Sequence, residues 1–177
     1  VGGSQGIVED HTIGDGREGY CNLNLTSVSL DQNRLLRTLD VQNCPNLSGT
    51  LNVKNCLNIE NIYAFGSGIT DISLPAAGYI KKLQLPETMT KLVIENQPYL
   101  QDDELQLTSL ANLTDVAISN CNLINTHELL DKLILFTVDS EDPNDTVQRY
   151  KIKHLKLDNL KFGDKDANEG VTLEYMH

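Results

Sequence analysis

Apolar residues recur along this chain in a short repeated phrase rather than in long runs. From Leu39 the sequence reads LDVQNCPNL, and from Leu51 it reads LNVKNCLNI. Reduced to its pattern, the phrase is an apolar residue, two spacers, an apolar residue, one spacer and a third apolar residue. Leu25-Val28-Leu30, Leu36-Leu39-Val41, Ile59-Ile62-Ala64, Ile69-Ile72-Leu74, Ile80-Leu83-Leu85 and Met89-Leu92-Ile94 fit it. Leu113-Val116-Ile118 and Ile152-Leu155-Leu157 return to it later, and Leu130-Leu133-Leu135 matches its front half. Within each copy the last two apolar positions alternate with another residue, which is strand periodicity. The early copies step by 9 to 12 residues. Later steps are roughly double, and the copy missing between Leu92 and Val116 is expected around Leu105 and Leu107.

A strand this short cannot bury its own apolar side, so successive copies must stack and cover one another. Two copies of about 11 residues make one turn of about 22, and the whole pattern predicts about six coils. Each turn then needs corners that leave no backbone group unpaired. Asn43-Cys44, Asn55-Cys56 and Asn120-Cys121 stand at such corners. A buried Asn side chain is expected to bond the backbone there, and Cys or Ser is small enough to fit. Pro45 and Pro98 suit the bend that follows, and Gly66 and Gly68 mark a corner with unusual backbone angles. One stretch, THELLDKLIL at 126–135, carries helical spacing through Leu129, Leu130 and Leu133, with Thr126 as its expected cap. The alternation of Leu133 and Leu135 equally suits a strand, and both readings stand.

The stretch LLRTLDVQNCPNL resembles a leucine-rich repeat, in the variant with Cys at the Asn position. The family pattern L-x-x-L-x-L-x-x-N/C-x-L is matched from Leu25 to Leu35, and with one extra spacer from Leu36 to Leu47. The resemblance covers roughly residues 22–160 and implies a right-handed solenoid. Ordinary members carry a helix on one side of each coil, whereas here both sides read as strand. The expected fold is therefore mainly β: a leucine-rich-repeat-like solenoid of ~22-residue coils with at most one or two short helices. The middle section, ITDISLPAAGYIKKLQLPETMTKLVIENQPYL, also resembles short repeats in structural (tail) proteins of phages and prophages and in surface proteins of gut bacteria. That likeness rests on the LP turns at Leu74-Pro75 and Leu85-Pro86, the ETMTKL step and the NQPYL corner.

The ends read differently from the array. Residues 1–21 hold six glycines and form a Gly-rich arm or linker, with Ile7, Val8 and Ile13 as anchors. The solenoid spans 22–160, and an acidic cap or tail follows at 161–177. Around Ile152, Leu155 and Leu157 stand Lys151, Lys153 and Lys156. They read as a Lys-decorated edge strand that resists pairing with another chain, with a basic contact strip as the other reading. The chain opens without Met and without a visible signal peptide, as a processed product or part of a longer polypeptide would.

Composition narrows the partners. A formal net charge of −11 argues against nucleic acid, which is held by clustered Lys and Arg, and against an anionic membrane surface. No run of apolar residues is long enough to span a bilayer, so membrane insertion is not expected. With no Trp and 5% aromatics, the core must be aliphatic. Cys21, Cys44, Cys56 and Cys121 show no C-x-x-C and are expected to be reduced, buried and inert.

Candidate chemistry is thin. Asp164, Asp166 and Asn168 alternate as in a calcium loop, but Gly170 and Glu174 each fall one place off. The acidic run at 139–145 reads as a solvated loop turned by Pro143 and Asn144. Cys121 and His127 lie near each other in sequence, yet Cys121 occupies a core position. His11, His127, His154 and His177 lack metal spacing, and Ser67 lacks a nucleophile elbow. The Gly-rich VGGSQG is no phosphate loop. No enzyme, cofactor or metal is expected. Tyr79 and Tyr99 are about one coil apart, close enough to stack as neighbours in a candidate contact patch, with packing against a turn as the other reading; Lys151, Lys153 and Lys156 are further candidate contacts. The leading expectation is a non-enzymatic protein-interaction or structural module of a phage-like virion or tail, with self-association through its ends as one of its partner readings. The alternative is a bacterial cell-surface or secreted module that binds a host protein or glycan. Its site is then a virion, the extracellular space or a cell surface.

Overall fold

The computed structural model describes residues 24–107, 110, 112–134 and 152–161, with the backbone of four flanking strand segments at 12–13, 137–139, 146–148 and 173–176. In chain order the strands are β1 (Thr12–Ile13), β2 (Thr38–Asp40), β3 (Ser48–Asn52), β4 (Asn61–Tyr63), β5 (Gly68–Ser73), β6 (Lys82–Gln84), β7 (Lys91–Glu95), β8 (Leu105–Gln106) and β9 (Asp115–Asn125). Helix α1 (Thr126–Ile134) follows, then β10 (Thr137–Asp139), β11 (Thr146–Gln148), β12 (His154–Lys161) and β13 (Leu173–Met176). The fold is mainly β, a parallel-strand solenoid of about three turns with a spacing of ~23 residues.

The repeated phrase explains the topology. Alternate copies fall into alternate sheets. One sheet runs β1-β2-β4-β6-β8, all parallel. Opposite lie the parallel pair β3-β5 and the sheet β7-β9-β12. The middle apolar residue of each copy sets the register: Leu39, Ile62, Leu83 and Leu105 align in the first sheet. Leu51 aligns with Ile72, and Leu92 with Val116 and Leu155, on the other side. The missing copy is β8, with Leu105 and Leu107 both buried.

Between the sheets lies one aliphatic core. Leu39, Ile62, Leu83, Leu92, Ile94 and Ile118 are fully enclosed, and no aromatic ring is among the buried core residues described. Each such side chain contributes roughly 1.5–3 kcal/mol on burial. The array is shorter than the six coils expected. After Ile118 the two-sheet alternation stops, because α1 follows β9 directly and a β10–β11 hairpin precedes β12. Leu133 therefore lies in a helix, not a strand, and packs into the core.

The corners work differently from the expectation. Asn43, Asn96, Asn120 and Asn159 adopt φ of +50 to +53°, the left-handed region that Asn tolerates better than most residues. Their job is to turn the chain. At the three successive corners of the second side they also bond each other. The Asn159 amide donates to Asn120 Oδ1 at 2.9 Å, and Asn120 donates to Asn96 Oδ1 at 2.9 Å. Asn96 in turn donates to the Ala76 carbonyl at 2.8 Å. The next residue points inward, and Cys44, Cys56, Ser67, Gln97, Cys121 and Leu160 fill this buried place.

The interior backbone bonds expected of Asn are made by Gln97. Its Nε2 donates to the carbonyls of Pro75 at 3.1 Å and Glu95 at 3.0 Å, and its Oε1 accepts from the Ile80 N–H at 3.4 Å. A Cβ at Gly78 would lie 2.7 Å from that Oε1, so the corner needs glycine there. Gly68 is needed for coil-to-coil approach, since its Cβ would stand 2.5 Å from the Pro45 carbonyl oxygen.

The cap of α1 is Asn125 rather than Thr126. Asn125 Oδ1 accepts from the His127 N–H at 2.9 Å, while the Asp102 carboxylate accepts the Asn125 N–H at 2.8 and 2.9 Å. Thr126 is the first helical residue, buried, and donates its hydroxyl to the Lys161 carbonyl at 3.0 Å. The Lys-decorated strand is not an edge: β12 pairs with β9 on one side and antiparallel with β13 on the other.

Candidate contact surface

The corner that leads from the second side into the first sheet is built by a recurring tight turn. Leu36 N–H bonds the Asn33 carbonyl, Ile59 N–H the Cys56 carbonyl and Leu100 N–H the Gln97 carbonyl. Turns of this kind bury their ends and push the two middle residues outward. The outward places hold Leu35, Leu57 and Tyr99, with Tyr79 and Leu123 on neighbouring turns. These five residues lie 22, 22, 20 and 24 positions apart, close to the ~23-residue spacing of the turns, and each is among the exposed large apolar residues of the described chain.

Tyr79 and Tyr99 are stacked, with ring centroids 5.7 Å apart and planes at 15°. Both are about half exposed, at 50% and 47%. On the next turn Leu123 is 43% exposed. A shallow cleft of about 290 Å³ opens between Tyr99 and Leu123 on one side and Asn61, Lys82, Gln101 and Glu104 on the other, with Lys81 at its rim.

The polar rim is built of ion pairs. Lys82 pairs with Glu104 at 3.0 Å, and Lys81 pairs with Glu60 at 2.7 Å, with Arg37 3.9 Å from the same carboxylate. The hydrogen bond from Lys81 holds the Glu60 carboxyl below its usual range, against a smaller opposing effect of burial. The Glu104 hydrogen bond likewise raises the Lys82 ammonium. These pairs connect adjacent coils, as does the Asn61 amide donating to Thr38 Oγ1 at 3.4 Å.

The other sequence candidates lie elsewhere. Lys153 and Lys156 are exposed at the entry to β12 and within it, on a different corner from the tyrosines. Lys151 and the acidic stretch at 164–170 lie outside the described residues, as do residues 140–145 of the other acidic run. Near the same end His154 Nδ1 sits 2.6 Å from Asp115 Oδ1. The Thr114 hydroxyl and, after it, His154 hold the Asp115 carboxyl below its usual range. Cys44, Cys56 and Cys121 are buried and form no disulfide. Burial pushes the Cys121 thiol up to about 11 and raises Cys56 as well. Ser67 donates to the Ala64 carbonyl at 2.7 Å and is enclosed. Among the described residues no cluster of His, Cys, Asp or Glu is arranged to hold a metal, and no helix is long and apolar enough to cross a membrane.

Sequence reasoning singled out the tyrosine pair but missed Leu35, Leu57 and Leu123. Their signal was present as a spacing of about one turn, hidden because each reads locally as one more leucine of the core. Comparison with protein-family models, curated proteins and solved structures gives no match.

Proposed function

We propose that this chain is a non-enzymatic attachment module, a rigid solenoid that makes its contacts through the aromatic corner. The stacked, half-exposed Tyr79–Tyr99 pair carries the proposal. Two rings held rigid by adjacent coils cost little entropy to bury, and aromatic anchors dominate contact energies. The exposed Leu35, Leu57 and Leu123 extend the same line.

The repeat style resembles both phage or prophage tail proteins and surface proteins of gut bacteria. An attachment role suits either setting. An exposed aromatic line favours the recognition form, a cell-surface or secreted module that binds a host protein or glycan. The resemblance to tail repeats favours a virion component, in which copies of the chain assemble through the solenoid ends.

Light scattering across a roughly hundredfold concentration range separates the two. A defined oligomer supports the particle component, because such parts are commonly symmetric. A strict monomer supports the recognition module.

A further inference from the structure

We infer that the cleft beside Tyr99 is a binding site for a neutral saccharide, a reading that rests on the attachment role and gives it a ligand chemistry. The Tyr79 ring covers one face of Tyr99, so the other face is turned toward the turn that carries Leu123. Tyr99 and Leu123 together form one apolar wall of the cleft. A sugar ring has a C–H face that packs on such a wall, and an edge of hydroxyls that each donate and accept.

The opposite wall answers that edge. Asn61 and Gln101 each offer an amide donor and acceptor, and the Lys82–Glu104 pair offers both roles side by side. Lys82 and Lys81 each already pair with a carboxylate, Glu104 and Glu60, which weakens their pull on an anionic ligand. The cleft volume of about 290 Å³ lies at the small end of ligand sites, roughly 300–1,000 Å³, which suits one ring of a longer glycan lying in an open groove.

The test is ligand-observed NMR on the full chain with neutral trisaccharides of glucose, mannose and N-acetylglucosamine, and with sialyllactose as the acidic probe. A neutral probe is expected to bind with Kd of order 1 mM. Tyr99→Ala should weaken it about tenfold, and Tyr99→Phe should retain most of the affinity. Phe65→Ser, an exposed apolar residue on the opposite corner after β4, should leave it unchanged. Circular dichroism of each variant checks that the solenoid is intact. No neutral binding at about 10 mM, or equal binding by a folded Tyr99→Ala, overturns the inference. So does binding of sialyllactose alone.

A second measurement separates this failure from failure of the attachment role. Adhesion is followed to a protein coat bearing neutral N-glycans, before and after their enzymatic removal. Adhesion lost with the glycans and with Tyr99→Ala supports the site. Adhesion that survives deglycosylation and still needs Tyr99 overturns the saccharide and leaves attachment standing. Adhesion indifferent to Tyr99 in both cases overturns both.

Discussion

At the residue scale, Asn and Gly carry the geometry that the apolar pattern cannot. Asn120 turns the chain at φ +53° and sits in the middle of the side-chain ladder. Asn120→Ala loses both features and should cost about 1–3 kcal/mol in urea unfolding. Asn120→Gly keeps the turn and loses only the bonds, so it should cost less. Two glycines provide a second contrast. Gly68→Ala drives a methyl into the Pro45 carbonyl, whereas Gly49→Ala meets no atom and strains only its backbone at φ +82°. Gly68→Ala should therefore be the more harmful in the same assay. Cys121 gives a pH prediction. Its thiol stays protonated in the fold up to about 11, while an unfolded thiol ionises near 9.0. The native state then holds the extra proton, so stability is full below pH 9 and declines as pH rises toward 11. Ellman's reagent should leave Cys121 unmodified at pH 8 until denaturant is added. For Asp115 the sign is opposite. Its depressed pKa stabilises the fold above the usual aspartate range and is lost as pH falls through it, by well under ~1 kcal/mol because the pair with His154 is exposed.

At the element scale, the strands are too short to persist alone, and each depends on its neighbours in the next turn. Strand β6 is three residues long yet holds Leu83 fully buried between coils. Helix α1 is a separate case, because its start is fixed from outside. Asp102, one turn earlier, holds the Asn125 N–H, and Asn125 caps the helix. Asn125→Ala should remove about 1 kcal/mol of stability, seen as a lower unfolding midpoint, while Thr126→Ser should cost less because the hydroxyl bond to Lys161 survives. The cap was not assigned to Asn125 from sequence because Thr and Asn are both good caps and stand side by side. The spacing alone did not choose between them; the carboxylate that pins Asn125 belongs to another turn.

At the scale of the whole molecule, stability is close to a sum over turns and their interfaces. Amide hydrogen exchange should be slowest in β4, β6 and β9, each paired with a strand on both sides, and faster in the short terminal strand β8 of the first sheet. With a net charge of −11, added salt should raise the unfolding midpoint modestly by screening self-repulsion. The aromatic corner belongs to this scale too, since Tyr79 and Tyr99 meet only because the turns stack in register.

The sequence by itself determined the alternation of strands, the aliphatic core and the pairing of two copies per turn. Those follow from local periodicity: Leu39, Ile62 and Leu83 had to face inward, and equal spacing had to bring them into line. The tertiary structure decided how many turns close and where the helix begins. It also decided that Gln97 rather than an Asn serves the buried corner, and that Leu35, Leu57 and Leu123 are exposed while similar leucines are not. Each of these depends on what the adjacent coil places within a few ångströms, and a one-dimensional pattern carries no record of that neighbour.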